Sequence, residues 1–198
     1  MNRITFLVRY RWLLAAIALS VLCDAAAWAH TPPVPLETTR QVGATAIVYK
    51  GPQVDVALSY RYAKANPTGT WLMLDAAMTS AVPIEIARGA ISVRTPDGTV
   101  VPLATQPEFG KAYASLAGSI ERANVAREPL GYLVPHRARR MELFSEPGRR
   151  VVFDSVWLDQ WATAYGRLYF ELPGGVRQGA YALLISLPQS TVRIPFTI

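Results

Sequence analysis

The sequence contains one cysteine, Cys23, and two histidines, His30 and His136. Each shortage excludes a body of chemistry. A lone cysteine supports neither an internal disulfide framework nor a multi-thiolate metal site. A serine–histidine–aspartate arrangement needs a histidine base, and neither histidine sits in a recognisable local motif. There is no glycine-rich phosphate loop, no G-x-S-x-G elbow, no H-E-x-x-H pair and no EF-hand loop. Asp154 and Asp159 flank Val156-Trp157-Leu158 near Trp161 and have the residue types of a glycosidase carboxylate pair. The simpler reading makes them turn-facing aspartates beside buried tryptophans.

Long apolar runs are also scarce. Residues 13–23 (LLAAIALSVLC) form an apolar stretch that Asp24 interrupts, short of the roughly 20 residues a membrane span needs. Arg3, Arg9 and Arg11 precede it, and Ala27-Trp28-Ala29 follows. A basic start, a short apolar segment and a small-x-small end make a cleavable secretory signal. Residues 1–29 are therefore expected to be a signal peptide cut after Ala29, with a cut after Ala27 as the competing register, and the product is expected in the periplasm or secreted. Bulky Leu22 before Cys23 argues against a lipoprotein signal. Residues 30–198 are then free of cysteine and long enough to bury one core unaided.

The chain carries a net charge of +6, and a basic excess survives loss of the leader. In an exported protein this favours an envelope protein, an anionic lipid or a polysaccharide as partner, and gives no argument for nucleic acid.

Residues 30–40 are proline-rich and read as an extended arm. Residues 41–198 read as a single, mostly β domain. Val54, Val56, Leu58 and Tyr60 alternate with Asp55, Ala57, Ser59 and Arg61, which predicts a half-buried strand. Residues 42–49 and 71–79 read as further strands. Residues 91–94 and 99–103 flank Thr95-Pro96-Asp97-Gly98 and form the clearest hairpin. Phe109, Ala112, Leu116, Ile120 and Ala123 recur at three- and four-residue steps, so residues 107–128 are predicted to make one amphipathic helical excursion bounded by Pro107 and Pro129. Strand candidates resume at 131–135, 140–144, 150–156, 165–172, 179–187 and 191–198. Short strands with regular proline and glycine punctuation predict an antiparallel β-sandwich.

Two stretches carry a family resemblance. Residues 91–103, around Thr95-Pro96-Asp97-Gly98-Thr99, and residues 166–173, Gly166-Arg167-Leu168-Tyr169-Phe170-Glu171-Leu172-Pro173, resemble the mid-domain hairpin and a late strand of small exported bacterial immunoglobulin-like domains. The resemblance covers about a third of residues 30–198 and implies an immunoglobulin-like sandwich in the cell envelope. It supplies no site residues.

Two site hypotheses follow from the residues. If the cut falls after Ala29, His30 becomes the N-terminus, and its α-amine and ring nitrogen can chelate together. With His136 they would make a three-nitrogen set suited to Cu(II). Exported sandwich proteins such as lytic polysaccharide monooxygenases and periplasmic copper carriers use such a brace. This chain is similar to them in the leader ending before histidine, the sandwich and the second histidine, and it departs from the oxygenases in lacking their His-Gly start. The basic run around His136 opposes a cupric ion. Copper is thus the alternative, and no other cofactor is expected. Met73, Met78 and Met141 read as core packing.

The second hypothesis is a partner surface. Arg137, Arg139 and Arg140 lie close in sequence to Arg149 and Arg150, and a hairpin around Glu146-Pro147-Gly148 would join them in one positive face. Trp161 and Tyr165 fall in an expected loop and add aromatic contact candidates, while Trp157 is expected in the core. The leading expectation is a non-catalytic, exported binding or structural module.

Overall fold

The computed structural model describes residues 37–132 and 137–198. The expected signal peptide, His30 and His136 lie outside the described residues. Twelve strands follow in chain order: β1 Thr38–Val42, β2 Ala46–Lys50, β3 Asp55–Ser59, β4 Trp71–Thr79, β5 Ile84–Ala87, β6 Ile91–Arg94, β7 Val100–Pro102, β8 Arg137–Arg140, β9 Ser155–Leu158, β10 Ala162–Glu171, β11 Ala180–Ser186 and β12 Thr191–Thr197. Helix α1 spans Arg61–Ala65 and α2 spans Gln106–Val125. The domain is mostly β, as expected. Among the described residues no helix is long and apolar enough to cross a membrane.

A six-stranded sheet runs in the order β1-β2-β3-β4-β10-β8, and a four-stranded sheet runs β12-β11-β6-β7. A small third sheet pairs β5 with β9. Every pairing is antiparallel except β8 with β10, which is parallel. Inward side chains from both larger sheets meet in one apolar core, among them Leu58, Leu74 and Phe170 from the first and Val93, Leu183 and Ile194 from the second. The predicted hairpin is present: the Thr95 N–H donates to the Thr99 carbonyl (2.9 Å), and Gly98 holds φ at +88°, the left-handed region glycine tolerates.

The helical excursion is also present, shifted towards the N-terminus. Thr105 caps α2 through a capping box. The Glu108 N–H donates to Thr105 Oγ1, and the Thr105 N–H donates to the Glu108 carboxylate at 2.7 Å. Pro107 lies in the first turn, where its missing N–H costs nothing. Phe109, Leu116 and Ala123 from the apolar stripe are buried, with Ala112 and Ile120 packed beside them. They cover Trp71, Met73 and Tyr169 on the outward face of the six-stranded sheet. The helix therefore forms a third layer, and β4 is buried at all nine positions.

That third layer corrects several expectations. Ala57 and Ser59 were expected on a wet face of β3 but are buried, because Leu130 covers Ala46, Val48, Ala57 and Ala77. Glu128 also accepts hydrogen bonds from Thr45 Oγ1 (3.1 Å) and Ser59 Oγ (3.0 Å). The predicted 42–49 strand is instead a hairpin turning at Gly43 (φ +61°), and residues 38–40, expected in the arm, belong to β1.

The hairpin expected between 140–144 and 150–156 does not form. β8 pairs with β10 instead, and residues 141–154 are irregular. Buried Arg88 holds this segment. Its guanidinium donates to the carbonyls of Ala104 (2.9 Å), Leu143 and Phe153 (3.2 Å) and to Asp154 Oδ1 (3.0 Å), and it lies over the Phe144 ring. One side chain thus satisfies carbonyls that a strand ladder would have used.

The capping box generates a test. Thr105→Ala should cost about 1 kcal/mol in urea unfolding with an unchanged slope, and an unchanged midpoint would contradict the cap. The backbone N–H and hydroxyl of Thr105 hold the Glu108 carboxyl below its usual range. Its contribution is therefore complete above the ordinary glutamate range and is lost as pH falls through the lowered folded-state value. The stability gap between wild type and Glu108→Gln should close on that acid side.

Candidate functional site

The site begins with one cross-strand pair. Asp75 on β4 lies directly opposite Arg167 on β10, both on the outward face of the six-stranded sheet. Arg167 forks onto the carboxylate, Nε to Oδ1 at 3.0 Å and Nη2 to Oδ2 at 3.3 Å, and both side chains are over 90 % buried. Such a pair needs its remaining donors satisfied. The end of α2 supplies the acceptors: Arg167 also donates to the Ala123 carbonyl (3.1 Å) and Asn124 Oδ1 (3.0 Å). A cation against the last carbonyls also complements the helix dipole. Just past the helix, Arg127 approaches Asp75 Oδ1 at 3.7 Å and lies over the Tyr165 ring at 5.3 Å.

Between α2, β8, β10 and the 141–154 segment runs a groove of about 530 Å³. Its floor includes the aromatic cluster of Phe109, Phe144 and Tyr169, with ring centroids 4.7–5.2 Å apart. Gln106, in the first turn of α2, fixes the wall opposite by accepting from the Ser145 N–H (3.2 Å) and donating to the Ser145 carbonyl (2.7 Å).

The charge in the groove is unbalanced. Arg127, Arg140, Arg149, Arg150 and Arg167 line it against the carboxylates of Asp75 and Glu146. Arg167 is committed to Asp75, and Arg149 pairs with Glu146 at 2.8 Å. Arg140 and Arg150 are exposed, and their guanidinium groups have no hydrogen-bond or ion-pair partner among the described residues. Burial, reinforced by the Glu146 carboxylate to which it donates, pushes the Tyr113 hydroxyl above its usual range. The result is a cationic cleft with two free guanidinium groups, a phenol and an aromatic floor. Such a set binds anions bidentately.

Four residues expected at a partner surface come together here: Arg140, Arg149, Arg150 and Tyr165. Arg137, Arg139 and Trp161 do not line the groove. Alternation along β8 sends Arg139 to the other face, where it pairs with Asp159 (3.2 Å) and donates to the Trp157 carbonyl. Trp161 is 75 % exposed just before β10. Tyr165, assigned both to a loop and to the start of the expected 165–172 strand, is within β10. Trp157, expected in the core, is 51 % exposed, because its strand β9 turns Val156 and Leu158 inward. Asp159 accepts from the N–H groups of Trp161 and Ala162 as a turn aspartate, and those bonds hold its carboxyl below the usual range.

Sequence reading missed Asp75, Arg127 and Arg167. A charged residue inside the otherwise apolar 71–79 run was the available signal for Asp75, since an aspartate in a buried strand needs a partner. Arg88 left no signal, because its acceptors lie 16–66 residues away. Among the described residues no group of three histidine, cysteine, aspartate or glutamate side chains is placed to hold a metal ion.

The central pair generates a prediction. Arg167→Met leaves Asp75 buried with only Arg127 at longer range and should cost about 3–5 kcal/mol. Replacing both partners by Asp75→Leu with Arg167→Met should recover much of that loss. A single variant as stable as wild type would show that the pair does not anchor this face.

No protein-family model, curated protein or solved structure matches this chain.

Proposed function

We propose that this protein is an exported, non-catalytic binding module of the cell envelope, with an immunoglobulin-like sandwich as its scaffold. The arginine groove is its binding surface, and it receives an anionic group of an envelope partner. The observation that carries this reading is the pair of exposed guanidinium groups of Arg140 and Arg150, without a partner among the described residues, in a groove with three further arginines and two carboxylates. Free arginines in a concave site above an aromatic floor favour carboxylate or phosphate oxygens. The leader-like first 29 residues support export, and the two stretches that resemble exported immunoglobulin-like domains support the scaffold.

The groove is tested by calorimetric titration with inorganic pyrophosphate and with a hexa-aspartate peptide at low salt. At least one should bind, and affinity should fall as salt rises. Arg140→Ala and Arg150→Ala should each weaken binding about tenfold, the worth of one charge-assisted hydrogen bond, while Arg137→Ala should leave it unchanged. Silence from both probes would reject the groove as an anion site. Export is tested by mass spectrometry of the protein recovered outside the cytoplasm. A new N-terminus after Ala29 or Ala27 is expected, and an intact Met1 end would contradict cleavage.

A further inference from the structure

We infer that the anion bound in the groove is amphipathic, a single-chain alkyl anion of the fatty-acid class, whose tail enters an apolar pocket beside the groove. This inference rests on the anion-binding reading of the groove and adds the class of ligand. The pocket holds about 320 Å³; Ala77, Pro129, Leu130, Ala138 and the Tyr165 ring give it apolar walls, and Arg127, Thr163 and Glu128 also line it, the Glu128 carboxylate being bonded to Thr45 and Ser59. Ala77 and Leu130 belong to a small apolar cluster on the outward face of the six-stranded sheet, with Tyr165 packed against it.

Pocket and groove share a wall. Tyr165 and Arg127 line both, with the guanidinium 5.3 Å over the phenol ring. The strand register places the two cavities side by side. Thr163 is paired with Ala138 and Tyr165 with Arg140, so Ala138 and Arg140 project from the same face of β8, two residues apart. That separation is about 6.6 Å along the strand. A carboxylate held by Arg140 therefore has an apolar recess one strand step away. Arg127 can cover the junction with its guanidinium towards the head and its alkyl stem towards the tail.

Chain length is the discriminating variable. A tail in the pocket should tighten binding about fourfold for each methylene taken out of water, until the pocket is full. An anion held only by the arginines gains nothing from a longer chain. Ala138 is exposed on β8, so Ala138→Phe can fill the pocket without disturbing the core.

The experiment is titration of the purified protein with butanoate, hexanoate and octanoate, below micelle-forming concentrations, and with octanol as the uncharged control. Affinity should rise steadily from butanoate to octanoate, and octanol should bind more weakly than octanoate. In Ala138→Phe the octanoate affinity should drop to that of butanoate, with butanoate unchanged. In Arg140→Ala both acids should weaken together. The chain-length series on wild type stands without any variant folding. Equal affinity for butanoate and octanoate overturns the amphipathic ligand while leaving pyrophosphate or hexa-aspartate binding, and hence the groove, intact. Octanoate binding that Ala138→Phe leaves untouched also overturns it. If no anion of any kind binds, the groove reading fails first and the inference falls with it.

Discussion

The salt bridge between Asp75 and Arg167 is the constraint on which the outward half of this molecule depends. Two opposite charges sit across from one another on central strands, on the face an ordinary two-layer protein would leave to water. Here that face is covered, so the charges must be paired and their remaining donors satisfied. Arg167 meets that demand by reaching the last carbonyls of α2, and the same contacts fix where the helix ends. The apolar stripe of α2 can slide or roll on a greasy surface. A forked guanidinium cannot. That pair ties the end of α2 and the neighbouring Arg127 to the sheet.

Arg88 plays a matching part on the other wall. Residues 141–154 are irregular, yet the carbonyls of Leu143 and Phe153 are held by one buried guanidinium and Ser145 is clamped to the start of α2 by Gln106. The groove is thus built between two arginine-organised regions, with its walls held by side-chain to backbone bonds. Arg140 and Arg150, whose guanidinium groups have no partner among the described residues, line the groove as exposed side chains. Structural arginines are buried and saturated, whereas the candidate binding arginines are exposed and free, and this contrast separates scaffold from site.

The layers of this fold were legible where local pattern decides them. The hairpin around Asp97-Gly98 and the helical stripe from Phe109 to Ala123 both follow from period and turn chemistry. Legibility failed where a second layer changed what a pattern means. The alternation in β3 looked half-wet because nothing local announces that Leu130 and Glu128 cover its other side. The 140–156 region looked like a hairpin because its composition is that of one, but β8 found a parallel partner in β10 and Arg88 took the rest. Arg140, Arg149 and Arg150 were recognised as a cluster for a reason that proved wrong in geometry. They meet across a groove floored by aromatics, and the strand pair expected to join them is absent. Trp157 shows the converse error, since a large aromatic beside buried residues on a short strand is turned outward by the period of two.

The central claim is that ligand recognition is confined to the arginine groove on the helix-bearing face. The most direct measurement is amide and side-chain chemical-shift mapping of the labelled protein during titration with pyrophosphate. The account predicts that shifts concentrate at Tyr113, Arg127, Arg140, Arg150 and Tyr165, with the four-stranded sheet silent. Shifts centred on Arg137, Trp157 and Trp161, or spread evenly over every exposed arginine, would contradict it.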